Sequence, residues 1–124
     1  MKIERIQGTN MELTEAIDAY VRNRVDGLAK LVKRLQPAHV SIEVGKPSEH
    51  HQKGDVFMAE FHAQVMGHEF HATATTDNLY KAIDAVQEEL RRQINDWRKR
   101  EHSVGRRAAR SFKKFLRFGK GEEL

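Results

Sequence analysis

The sequence predicts an α/β (α+β) fold, a two-layer sandwich in the order β-α-β-β-β-α, with two helices on one face of a four-stranded sheet. Two segments repeat apolar residues at helical spacing, and three segments between them alternate apolar and polar residues as half-buried strands do. Each helix has one apolar stripe and the sheet has one apolar face, so both helices should pack on that face. The 124 residues, 39% of them hydrophobic, allow one such core.

The first strand is predicted at residues 2–7. Its alternation is imperfect because Ile3 and Ile6 have opposite parity, which a bulge or a late strand start would explain. Thr14 is a candidate N-cap for the first helix, and Gly27 inside that helix costs about 1 kcal/mol relative to Ala but allows close packing. The apolar stripe of this helix consists of Ile17, Tyr20, Val21, Val25, Leu28, Leu31 and Val32.

The next three strands are predicted at residues 40–44, 57–66 and 69–75. A polar loop at residues 45–55, which includes His50 and His51, separates the first two, and Gly67 marks a tight hairpin turn between the last two. These strands should pair antiparallel, with one apolar face and one polar face. The titratable residues expected on the polar face are Glu43, Glu60, His62, Glu69 and His71.

The second helix should begin near Asp77 or Asn78, since either residue can cap it. Its apolar stripe consists of Leu79, Ile83, Val86, Leu90, Ile94 and Trp97. Core packing is the expected role of Tyr80 and Trp97, and base stacking is the alternative. We expect a folded domain at residues 1–102 and a tail at residues 103–124, which either forms a short helix or stays disordered until it binds a partner.

The basic residues of the chain are concentrated in the tail. Residues 104–124 contain seven cations and two carboxylates, a net charge of +5, whereas the whole chain carries +4. Phe112, Phe115 and Phe118 are interleaved with these cations, a pattern that suits phosphate contact together with base stacking. A basic amphipathic helix for a membrane surface or a protein groove, and a solvated tail, are the alternatives.

Composition excludes several other classes of function. The chain has no cysteine, and its longest apolar runs are far shorter than the roughly 18 residues of a membrane span, so we expect no disulfide, thiol chemistry or membrane insertion. The N-terminus lacks a signal peptide, which favours a cytoplasmic protein. The seven histidines have no zinc-site spacing, and no glutamate is tied to a nucleophile. We therefore expect no metal, no cofactor and no enzyme activity; a metal-dependent hydrolase on the His-bearing sheet face is the least favoured hypothesis.

Two segments carry a resemblance to a known family. Residues 10–17, NMELTEAI, enter the first helix and are followed by Tyr20-Val21, Arg24, Leu28 and Lys30. Residues 79–84, LYKAID, open the second helix. In order and spacing, roughly residues 1–102 resemble the ribosome hibernation-promoting factor family, also known as ribosome-associated inhibitors or sigma-54 modulation proteins.

The resemblance implies a non-enzymatic translation inhibitor that binds the small ribosomal subunit in dormant or starved cells. Family members occupy the channel for messenger and transfer RNA, compete with both, and contact mainly 16S ribosomal RNA. Basic positions on both helices carry much of this contact. The matching positions are Arg24, Lys30, Lys33 or Arg34, Arg92, Arg98 and Arg100, whereas Glu89 and Asp96 stand where many members are basic. We expect a monomer off the ribosome.

Charge clustering extends this predicted RNA-binding set to neighbouring cations on the second helix and in the tail. The added residues are Arg91, Lys99, Arg106, Arg107, Arg110, Lys113, Lys114 and Arg117. The α-β-β-β-α order also occurs in double-stranded-RNA-binding domains, so a generic double-stranded-RNA-binding module that does not act on ribosomes is the alternative function.

Overall fold

The computed structural model describes residues 1–47 and 56–101 in full and the backbone of residues 102–123. The predicted element order is confirmed. The elements are β1 (Lys2–Thr9), α1 (Glu15–Leu31), β2 (Ala38–Gly45), β3 (Phe57–Val65), β4 (His68–Thr76) and α2 (Leu79–Glu123). His50 and His51, in the predicted polar loop, lie outside the described residues.

The chain forms two compact units, Met1–Gln93 and Ile94–Leu124. The first unit contains the sheet, α1 and the beginning of α2. In the second unit the backbone of α2 is helical as far as Glu123. The predicted division between a domain at residues 1–102 and a tail stays a prediction.

The sheet has the strand order β1-β2-β3-β4. The predicted antiparallel pairing is correct for β2, β3 and β4, whereas β1 pairs parallel to β2 because the chain returns through α1. The register shifts between Ile3 and Arg5, which is the irregularity that the parity of the apolar residues predicted. At the other end of this pair, Gly45 lies so close to β1 that an added Cβ would stand 1.9 Å from the Thr9 carbonyl oxygen.

Local side-chain chemistry sets the element ends. The Thr14 hydroxyl accepts a hydrogen bond from the Ile17 N–H at 3.2 Å, which confirms it as the N-cap of α1. The Asn78 carboxamide oxygen caps α2 by accepting from the Tyr80 N–H at 2.9 Å. Met66 and Gly67 both have positive φ, 52° and 80°, as the tight turn between β3 and β4 requires.

The core lies between one face of the sheet and the apolar stripes of the helices. Phe61 on β3 is the largest fully buried side chain, and Leu28 of α1 and Ile83 of α2 are also fully buried. One expectation was wrong: Tyr80 is 41% exposed and is not a core residue. It occupies the first turn of α2, one position past the buried Leu79, and so points away from the stripe.

Candidate nucleic-acid interface

Side chains of α1 and α2 line an open depression of about 620 Å³, which we call the helix groove. It lies entirely within the first unit. Its lining contains three cations and a single carboxylate, so its net charge is positive. The lining residues are Asn23, Arg24, Asp26, Gly27, Lys30, Gln87 and Arg91.

Helical periodicity brings these residues to one surface. On α1, positions three and four apart share a face, which places Asn23 and Lys30 on the same side as Gly27. Gln87 and Arg91 are one turn apart on α2 and face them. An added Cβ at Gly27 would lie 3.0 Å from Gln87 Nε2 and 3.3 Å from Arg91 Nη2, so the missing side chain makes room for both. The sequence expectation that Gly27 allows close packing is therefore confirmed.

Arg24 is held in place at one end of the groove. Its Nη2 donates to the Tyr20 hydroxyl at 2.8 Å, and that hydroxyl donates to Asp84 Oδ1 at 2.6 Å. Arg24 Nε also forms an ion pair with Asp84 Oδ1 at 2.8 Å but makes no hydrogen bond with a described residue. The hydrogen bond that Arg24 donates to Tyr20, together with the nearby Asp84 carboxylate, raises the pKa of Arg24. The guanidinium is thus oriented before any ligand arrives.

Two tyrosines lie beside Arg24. The Arg24 guanidinium lies 4.9 Å from the centre of the Tyr20 ring, a cation–π distance. Tyr80 packs edge-on against Tyr20, with ring centroids 4.8 Å apart. The exposed Tyr80 ring therefore lies beside the predicted Arg24 site rather than in the core.

The other predicted cations of the first unit differ in whether they form an ion pair with a carboxylate. Lys30 and Arg91 in the groove form no ion pair with any residue that the structure describes, and the same is true of Lys33 and Arg34, which are exposed just after α1. These four side chains are available to an anion. Arg92 differs because its guanidinium binds the Glu89 carboxylate through two hydrogen bonds, one from Nε at 3.0 Å.

Glu89 is the acidic residue at which the sequence departs from the basic pattern of the family. Its hydrogen bonds from Arg92 and then from Gln93 lower its pKa to about 2. Arg92 therefore has a carboxylate partner that competes with any phosphate. Gln93 also donates to the His71 carbonyl oxygen of β4 at 3.0 Å.

The remaining predicted cations belong to the second unit. Arg98, Lys99 and Arg100 are exposed on α2. The side chains of the tail cations lie outside the described residues, so their predicted role is not tested. The structure thus brings Arg24, Lys30 and Arg91 into one groove, a grouping that the sequence prediction did not make.

Four groove residues were missed by the sequence analysis as members of a site: Asn23, Asp26, Gly27 and Gln87. The spacing of Asn23, Asp26, Gly27 and Lys30 places them on one face of α1, so that half of the groove was accessible from the sequence. Gln87 carried no such signal because it lies inside the apolar period of α2, and only the packing of the two helices shows where its amide points.

The opposite face of the sheet carries histidines and glutamates, as predicted. His62 and His71 are cross-strand partners on β3 and β4, with rings 5.9 Å apart. His71 Nε2 lies 3.3 Å from Glu60, and Glu60 is in register with Glu43 on β2. No cluster of three or more potential metal ligands occurs among the described residues. The glutamates of this face make it less suited to a phosphate backbone than the helix groove is.

Comparison with known proteins assigns the chain to a family. The family described as Sigma 54 modulation protein / S30EA ribosomal protein matches residues 5–102. The chain belongs to this family. Within the part of the chain that the structure describes, no helix has the length and apolar character needed to cross a membrane.

Individual relatives agree with this membership. The ribosome hibernation promoting factor of Escherichia coli is 32% identical over 89 residues, which cover 72% of this chain and 85% of that protein. The factor of the same name from Salmonella typhimurium is 29% identical over the same length. The N-terminal domain of Thermus thermophilus Protein Y superposes with a TM-score of 0.64 at 23% identity, covering 78% of this chain and 99% of that domain. The two-helix, four-stranded fold is therefore that of the family.

Proposed function

We propose that this chain is a ribosome-binding translation inhibitor that occupies the messenger- and transfer-RNA channel of the small ribosomal subunit in dormant or starved cells. The observation that carries the proposal is the helix groove, where Arg24, Lys30 and Arg91 converge on one side of the molecule. Membership of the family and the likeness to proteins named ribosome hibernation promoting factors supply the biological setting.

The charge distribution supports RNA as the ligand. Cations that contact phosphates release condensed counterions, and this release drives association. Lys30 and Arg91 need not give up an ion pair within the described residues in order to bind. Arg24 is already oriented by Tyr20 and Asp84, so little side-chain entropy is lost when it contacts a phosphate, although it shares its charge with the Asp84 carboxylate. A planar guanidinium also suits bidentate contact with phosphate oxygens.

The proposed binding also has a location and a partner. The chain acts in the cytoplasm, where ribosomes are, and contacts 16S ribosomal RNA as a monomer without catalysing a reaction. The cations of residues 103–124 extend the contact beyond the folded domain, in line with the +5 charge of residues 104–124. Because messenger and transfer RNA use the same channel, they compete with the protein.

Sedimentation through a sucrose gradient tests ribosome binding. The protein should migrate with small subunits and whole ribosomes at low salt and at moderate salt. A Lys30→Glu/Arg91→Glu variant should stay largely at the top of the gradient. Arg5→Glu is the matched control, because Arg5 is an exposed cation of β1 outside the groove. Wild-type protein that never enters the gradient would refute the proposal.

Competition separates the ribosome channel from generic RNA binding. Small subunits loaded with messenger RNA and initiator transfer RNA should bind the protein much more weakly than empty subunits. A generic double-stranded-RNA-binding module would bind both equally and would also bind a free RNA duplex of unrelated sequence. Equal binding to loaded and empty subunits would therefore favour that alternative and contradict the channel assignment.

A further inference from the structure

Gln87 is the one polar side chain in the buried set of described residues, with 8% of its surface exposed. Its neighbours on the buried stripe, Ile83 and Leu90, are apolar and fully buried. Gln87 is one of the residues that line the helix groove. No other described residue makes a hydrogen bond to this amide. Its nitrogen and oxygen are not among the buried unpartnered side-chain atoms, so the amide is open to a partner that enters the groove.

Gly27 shows where the amide points. A Cβ placed on Gly27 would contact both Gln87 Nε2 and Arg91 Nη2, at 3.0 Å and 3.3 Å. The amide nitrogen and the guanidinium nitrogen thus meet over the bare backbone of one α1 residue. The Gln87 carboxamide places its donor nitrogen over Gly27 and carries its acceptor oxygen on the other branch, whereas the guanidinium has donors only. Two converging donors, one of them charged, match an anionic oxygen.

We infer that the Gln87 amide and the Arg91 guanidinium form a paired donor site for one phosphodiester group of bound RNA, and that Gly27 keeps this site open. The inference rests on the proposed function, because it names a contact within the same groove. Lys30, one helical turn beyond Gly27 on the same face of α1, supplies a further positive charge toward the adjoining backbone. Gln87 acts as a neutral donor, and Gly27 acts as a positioning residue that does not itself touch the ligand.

Substitution of Gln87 tests the donor role on purified small subunits. Gln87→Leu keeps the volume and suits the apolar surroundings, so the fold should be at least as stable. Affinity should nevertheless fall about tenfold, the effect of losing one hydrogen bond to a charged group. The slope of log affinity against log salt should not change, because no cation is removed. Gln87→Glu, which is nearly isosteric but carries no donor at neutral pH, should weaken binding further.

Gln64→Leu is the matched control, because it removes an amide on β3 that donates to Glu69 and does not line the helix groove. Its affinity for small subunits should equal that of the wild type. If Gln87 serves only to pack the helices, Gln87→Leu will also bind like the wild type, and the inference is overturned.

Gly27→Ala tests the positioning role by separating stability from binding. Alanine favours the helix, so the thermal midpoint should rise or stay unchanged, since the atoms it meets are ends of flexible side chains. Those ends must move, so affinity should fall about threefold to tenfold, by part or all of one hydrogen bond. Unchanged affinity would show that Gly27 has no part in the site.

Failure of the proposed function and failure of the paired donor site give different binding results. If the wild-type protein does not bind small subunits at all, the proposed function fails. If the wild type binds and Lys30→Glu/Arg91→Glu does not, while Gln87→Leu binds normally, the proposed function stands and only the paired donor site is refuted. Circular dichroism and thermal melting of every variant exclude unfolding as the cause of lost binding.

Discussion

Removing two cations from the helix groove should change the salt dependence of ribosome binding by a predictable amount. The variant is Lys30→Gln/Arg91→Gln, which removes two positive charges and keeps long polar side chains. Neither residue forms an ion pair with a described residue, so the folded state loses no electrostatic partner there. The free energy of unfolding should therefore change by less than about 0.5 kcal/mol.

The magnitude follows from counterion release. Each phosphate contact contributes about 0.7 to 0.9 to the slope of log affinity against log salt, depending on whether the RNA behaves as single or double strand. Two lost contacts reduce the slope by about 1.4 to 1.8, which at about 0.1 M salt corresponds to roughly 25- to 60-fold weaker binding. A nonspecific loss of structure would lower affinity without this linked change in slope.

The assay is a titration of fluorescently labelled protein with small subunits at several salt concentrations between about 50 and 200 mM, at constant magnesium. Arg5→Gln is the control and should leave both slope and affinity unchanged. Arg24→Gln provides an internal comparison, since it removes one charge and also the contacts to Tyr20 and Asp84. If the double variant kept the wild-type slope, the groove would not contact phosphate and the reasoning would be wrong.

Three further predictions concern the tail, the Arg92–Glu89 pair and the β1–β2 contact. Residues 104–124 carry seven cations, so their deletion should weaken ribosome binding and reduce the slope of log affinity against log salt by up to about 5 in the same titration. An unchanged slope would show that the tail contacts no phosphate. Because the pKa of Glu89 falls from 4.5 to about 2 on folding, its stabilising contribution is complete above pH 4.5 and is lost as the pH falls toward 2. In an NMR titration of the Glu89 carboxyl carbon, Arg92→Gln should return this pKa toward 4.5, and a pKa that stays near 2 would contradict the pairing. Gly45→Ala should cost about 2–5 kcal/mol in urea denaturation, because Gly45 has positive φ and its new Cβ would also collide with the Thr9 carbonyl. Gly67→Ala, which has positive φ but open space, should cost only about 1–2 kcal/mol of backbone strain; equal costs would show that the close approach does not matter.

Much of the fold was predictable because its signals are local. The N-caps at Thr14 and Asn78 and the turn at Gly67 depend on residues within a few positions, and the structure has all three. The irregular parity of Ile3 and Ile6 predicted the register shift in β1. The prediction that Tyr80 packs in the core was wrong. A residue at the edge of an apolar stripe becomes core or surface according to the way the helix packs, which the sequence does not show.

The order of the elements, the apolar stripes and the set of basic residues can all be read from the sequence. Which of those cations lie together depends on how the helices pack. Tyr20 and Asp84 lie 64 residues apart, and Gly27 meets Gln87 only because the two helices pack side by side. The same packing left Lys30 and Arg91 without a carboxylate partner among the described residues, whereas the local spacing of α2 paired Arg92 with Glu89. Helical periodicity determines which residues share a face, but it contains no information on which face of another helix will lie opposite, and that pairing defines the groove.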